Sequence, residues 1–156
     1  VEFLLKTGLR LSEVLTAEVD DIVDLGDRGA YIRVRQGKGR KDRHVPLEAQ
    51  LHRRLRLWIE RHRPDGSAVL FPTVRGTGRP MSPEALKSML DRLGKDVGVH
   101  CHAHKFRHTF ASRAIADGVD LITLQRVLGH TTLTMVSRYV HYSPTDLLDA
   151  WQLRRA

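Results

Sequence analysis

The 156 residues predict an α+β domain, mainly α, in which a small three-stranded antiparallel sheet is embedded among helices. Three observations predict it. Two runs rich in Val and Ile, IVDLGDRGAYIRVR and DRHVPL, alternate apolar and polar residues and are broken by GDRG and by a Gly-Lys-Gly-Arg-Lys segment, the pattern of strands joined by turns. From Leu47 onward the apolar period lengthens to that of helices. Helix starts with side-chain caps then recur, Ser82 followed by Pro83 and later Asp120.

The elements follow in order. VEFLLKTG predicts an apolar first helix with Gly8 at its C′ position, and LSEVLTAEV a short second one with Ser12 and Glu13 in its first turn, so Arg10 falls between two helices. The alternating runs then supply about three strands. LEAQLHRRLRLWIERH places Leu51, Leu55, Trp58 and Ile59 on one helical face, and Pro64, Asp65 and Gly66 stop it. A loop around FPTVRGTGRPM leads to SPEALKSMLDRLGKDVG, capped by Ser82. HKFRHTFASRAIADG predicts a helix ending at Gly118, and Asp120 caps DLITLQRVLG. Thr131 or Thr132 is expected to cap TLTMVSRYV, and SPTDLLDAWQLRR to form a last amphipathic helix with Leu147, Leu148 and Trp151 on one face.

No internal repeat, low-complexity tract or interdomain linker interrupts this series, so residues 1–156 are expected to be a single domain. A content of 41% apolar residues suffices for a core without disulfides, and the only cysteine, Cys101, excludes an intramolecular one. No apolar run approaches membrane-spanning length and no secretory leader is visible, which points to a soluble, cytoplasmic protein. The chain opens on Val1 inside an apolar helical run, as a piece of something longer would. Its 26 Lys and Arg outnumber 18 Asp and Glu, a formal net charge of +8 with histidine neutral. Such a balance favours a polyanionic partner, although a basic solubilising surface would produce the same number.

Polar groups that helix packing would not choose cluster at element ends: Arg10, Lys38, His104, Arg107, His130 and Tyr139. His104 and Arg107 are three residues apart, so a helix projects both from one side, where imidazole and guanidinium can grip one anion. Phosphodiester exchange needs a nucleophile, donors for the charge on the nonbridging oxygens, and an acid for the departing sugar oxygen. A tyrosine with a reference pKa of about 10 is only about 0.1% phenolate at neutral pH, so it needs adjacent cations or a base. The arginines and histidines supply both, and two arginines can do much of what metal ions do elsewhere.

Together these residues resemble the catalytic domain of the tyrosine recombinases, the phage-integrase family. TGLRLSE resembles its first arginine motif, with Arg10 and the supporting acid Glu13. GKGRKDRHVPL resembles its lysine-bearing hairpin, with Lys38, and HKFRHTFAS its His-x-x-Arg box, with His104 and Arg107. LGHTTLTMVSRYVH resembles the ending that carries the last histidine and the nucleophile, His130 and Tyr139. Four motifs in order, from about residue 1 to 143, are far more specific than any one of them.

The resemblance implies site-specific recombination or integration of double-stranded DNA without ATP, metal or other cofactor. Tyr139 attacks the scissile phosphate to give a 3′-phosphotyrosine and a free 5′-hydroxyl, and Lys38 protonates the leaving oxygen, with Lys41 or Arg43 as alternatives in that role. It implies a homotetramer on DNA, in which the last helix docks on its own domain or on a neighbouring protomer. The family's full-length enzymes also have an N-terminal DNA-clamping domain, which these residues do not include. Lys105 departs from the family box, where an acidic or neutral residue is expected.

Competing readings exist for each feature. His100, Cys101, His102, His104 and His108 are metal-binding residue types, but their tight run lacks the second pair of a zinc finger. Glu18, Asp20, Asp21 and Asp24 are expected to be a solvated loop rather than a two-metal site. DLITLQRVLGHTTLTMVSRY also reads as a helix-turn-helix, so the rival function is a noncatalytic DNA-binding regulator. A nearer rival is a type IB topoisomerase, with the same cleavage chemistry but rejoining of the original strand.

Overall fold

In the computed structural model the described residues are 1–35, 42–73 and 78–130. Helix α1 (Glu2–Thr7) ends at Gly8, whose left-handed φ of 62° turns the chain into α2 (Leu11–Thr16). A 3₁₀ turn, Val19–Asp21, leads to β1 (Ile22–Asp24), which is followed by β2 (Ala30–Val34) and β3 (Arg43–Leu47). The three strands form one antiparallel sheet in chain order, with Ile22 opposite Ile32 and Ile32 opposite Val45. Pairing of these β-branched residues in one row gives the sheet its buried face. Helices α3 (Ala49–Arg61), α4 (Pro83–Asp96), α5 (Ala103–Ala116) and α6 (Leu121–Leu128) complete the described fold.

The capping signals act as the sequence predicts. Ser82 accepts from the Ala85 amide at 3.1 Å with Pro83 at the first helical position, and Asp120 accepts from the amides of Ile122 and Thr123 at 3.0 and 2.9 Å. These bonds satisfy donors a helix leaves open at its start. Helix α5 begins at Ala103, one residue before the HKFRH run, with His102 as its cap. The helices expected beyond His130 lie outside the described residues.

Two apolar clusters hold the elements together. The larger joins Leu4, Leu9, Ile32, Val45, Leu51, Leu55, Leu70 and Leu90, and Trp58 packs against it while its indole N–H donates to the Leu70 carbonyl at 2.9 Å. Fully burying one such aliphatic side chain contributes about 1.5–3 kcal/mol. The smaller cluster, Ala111, Leu124 and Leu128 with Phe110, fastens α5 to α6. Helix α1 packs on α5 and β3, and α6 packs on α5 and β3.

One expectation is corrected here. The acidic stretch before β1 is not simply a solvated loop: Asp21 is 2% exposed and is clamped by Arg35 Nε at 2.8 Å and Arg33 Nε at 3.4 Å, while Arg35 Nη1 pairs with Glu18 at 2.7 Å. Arg33 on the outward row of β2 and Arg35 just past its end supply the guanidiniums, a pairing that composition alone does not reveal.

Candidate functional site

The site is built from element ends. Gly8 makes it possible: a Cβ there would stand 2.4 Å from Phe110 Cδ1, so only glycine lets the end of α1 approach α5 so closely, and its φ is also one that L side chains avoid. The buried carbonyl of Gly8 then accepts from Arg107 Nη1 at 2.6 Å. Arg107, on α5, is 3% exposed; its Nη2 donates to the Leu128 carbonyl at 2.7 Å and meets His130 Nε2 at 2.8 Å. One guanidinium thus ties the end of α1 to the end of α6.

Arg10 caps α2 in extended conformation, and Glu13 reaches back to its amide at 2.7 Å and to its Nη1 at 2.9 Å. Arg10 Nη2 donates to the Gly129 carbonyl at 3.2 Å, and 42% of its side chain faces solvent. Arg10, Glu13, Arg107 and His130 therefore converge from three helices. His104 lies exposed one turn before Arg107, and its charge is felt at His130. The two box residues share a side of α5 but not an environment.

A guanidinium can only donate, so His130 Nε2 facing Arg107 must accept, which assigns the ring proton to Nδ1 and makes the imidazole neutral. Its pKa points the same way: burial, then the charges of Arg107, Arg10, Arg43 and His104, lowers it from 6.5 to about 4. Burial alone would raise the Glu13 carboxyl, but hydrogen bonds from Arg43 and the Arg10 amide, with the Arg43 charge, hold it at about 2. The site thus presents fixed cations, a fixed carboxylate and a neutral imidazole, an arrangement that can receive an anion and accept or relay a proton.

Residues 1–145 match the phage integrase family. The chain belongs to that family. It is 37% identical over 150 residues to tyrosine recombinase XerA of Thermococcus kodakarensis, an alignment covering 96% of this chain and 52% of that protein. The XerH site-specific recombinase, solved bound to its difH substrate in a pre-cleavage complex, superposes with a TM-score of 0.79 at 28% identity over 99% of this chain and 45% of the other. The catalytic domain of bacteriophage HP1 integrase superposes with a TM-score of 0.68 at 26% identity, covering 97% of this chain and 77% of that one. The chain spans about half the length of the curated relatives it matches.

Two of the expected site residues of this phage integrase family member, Lys38 and Tyr139, lie outside the described residues. Arg43, an alternative to Lys38 as acid, is corrected: it is 7% exposed and donates to both Glu13 oxygens and to the Val127 carbonyl, so it is not aimed at a leaving oxygen. The signal for its true setting was in DRHVPL, where strand alternation puts Arg43 on the same face as Val45 and Leu47. Among the described residues no group of three or more His, Cys, Asp or Glu is arranged to hold a metal ion. No described helix is long and apolar enough to cross a membrane.

Proposed function

We propose that this chain is the catalytic domain of a site-specific DNA recombinase or integrase that cuts and rejoins double-stranded DNA in the cytoplasm. The observation that carries the reading is the meeting of Arg10 and Arg107, from segments far apart in the sequence, around a neutral His130. Their guanidiniums are the donors for the nonbridging oxygens of a phosphodiester, and preorganised donors of this kind lower the barrier without metal. The Tyr139 oxygen forms a bond to phosphorus as the bond to the 5′ oxygen breaks. The phenolic proton passes to a histidine of the cluster, and Lys38 gives a proton to the departing oxygen. A 5′-hydroxyl of a second strand reverses the step, so no ATP is consumed.

XerH bound to its difH substrate supports DNA as the partner, and family membership supports catalysis over a regulator or a topoisomerase-like enzyme. Assembly is as a homotetramer on DNA. The test is covalent capture from a pool of nicked duplexes with randomised flanks. An SDS-resistant adduct through a 3′ phosphate, lost in Tyr139→Phe while DNA binding is retained, is expected. Salt-sensitive binding that yields no adduct would favour the regulator, and adducts resealed without junction products the topoisomerase.

A further inference from the structure

Arg43 stands on the inward face of β3 beside Val45 and Leu47, where a charged group is rare. A guanidinium stays ionised and loses hydration on burial, so it persists there only if its donors are met. Two elements distant in sequence meet them. Nη1 and Nη2 lie 2.8 and 2.7 Å from the two oxygens of Glu13 on α2, and Nε lies 2.8 Å from the Val127 carbonyl in the last turn of α6.

Each Glu13 oxygen is shared between the two arginines. Oε1 also accepts from Arg10 Nη1 at 2.9 Å, and Oε2 from the Arg10 amide at 2.7 Å. The carboxylate therefore sets where the Arg10 guanidinium stands, and Arg43 sets where the carboxylate stands. On its other side Arg43 holds the turn that runs from Val127 through Gly129, whose carbonyl accepts from Arg10 Nη2, to His130. These contacts form a closed circuit from β3 through α2 and the end of α6.

We infer that Arg43 is a positioning residue, which through Glu13 and Val127 holds Arg10 in register with Arg107 and His130 and does not itself touch the substrate. The inference rests on the strand-cleavage reading above. A lysine cannot substitute, because one ammonium is a point charge that does not span two carboxylate oxygens and a carbonyl in a fixed plane.

The test compares the parent chain with Arg43→Lys, Arg43→Met, Arg10→Ala and the Arg10→Ala/Arg43→Met double variant. Three quantities are read: DNA affinity, the single-turnover rate of covalent capture at saturating nicked duplex, and hydrogen exchange of the Arg10 Nε–H by NMR. Both Arg43 variants are expected to bind DNA nearly as the parent does. Capture should slow about 100-fold in Arg43→Met, the size of effect that a displacement of about 1 Å at a reacting centre produces. Arg43→Lys, the variant that retains the charge, should fail to restore the rate, and it carries the test if Arg43→Met does not fold. Adding Arg43→Met to Arg10→Ala should cost little more, because the two act through one group.

Full activity in Arg43→Lys, or additive losses in the double variant, would overturn the inference. If the parent captures no DNA, the cleavage reading fails on its own, and the exchange measurement still decides positioning. Faster Arg10 exchange in Arg43→Lys than in the parent supports it, and unchanged exchange refutes it.

Discussion

Two clusters in this molecule set a carboxylate between two arginines, and they are built to different ends. Asp21 is held by Arg33 on β2 and Arg35 just past its end, whose side chains are 39% and 48% exposed. Glu13 is held by Arg10 and by Arg43, and Arg43 is buried; both arginines also reach backbone carbonyls near the end of α6. Half-exposed arginines return to water when their partner is removed, so the Asp21 cluster closes a local turn. A buried arginine has no such recourse, which makes the Glu13 cluster a rigid joint between elements. The same three chemical groups thus give a local tie in one place and a positioning device in the other.

The largest effect is expected beside that joint. Arg107→Ala removes the donor shared by Gly8, Leu128 and His130, and covalent capture from nicked DNA should slow by about 10²–10³ or more, read in single-turnover assays. Next comes a direct comparison of the two acids by denaturant unfolding. Glu13→Gln leaves Arg43 buried without a counter-charge and should cost about 3 kcal/mol. Asp21→Asn, whose arginines can rehydrate, should cost about 1 kcal/mol. Equal losses would break the distinction between the clusters.

Acid titration sharpens it further. The folded chain binds a proton at His130 only near pH 4 whereas the ordinary value is 6.5, so the unfolded chain protonates first and stability falls as pH drops from 6.5 towards 4. Glu13 stabilises fully above its ordinary 4.5, and that contribution is lost as pH falls towards about 2. Thermal melting against pH should show both limbs, the upper flattened in His130→Gln and the lower in Glu13→Gln. The smallest change is Arg35→Ala at the sheet, expected to stay within about 1 kcal/mol in the same unfolding measurement.

Much of the described fold was legible because it is decided locally. Ser82 and Asp120 cap the helices they were expected to cap, Gly8 ends α1 in the left-handed conformation, and the alternating runs pair as three strands. Arg10, Glu13, Arg107 and His130 were legible as motif residues, and they do converge. The failures have one cause. Asp21 was expected in solvent, and Arg43 was weighed as an acid, because each was judged from its neighbours in the chain. Its actual partners come from other elements: Arg33 and Arg35 for Asp21, Glu13 and Val127 for Arg43.

Sequence by itself determined the family, the order and type of the elements, the basic balance and the identity of the polar groups at element ends. Periodicity, caps and motif spacing act over a few residues, so they can be read in a line. Only the tertiary structure decided which face of His130 meets a donor, why Arg107 is buried while His104 is not, and that Arg43 serves Arg10 at second hand. Those properties arise from hydrogen bonds between residues 21 to 119 positions apart, and burial turns such contacts from weak surface pairs into fixed geometry.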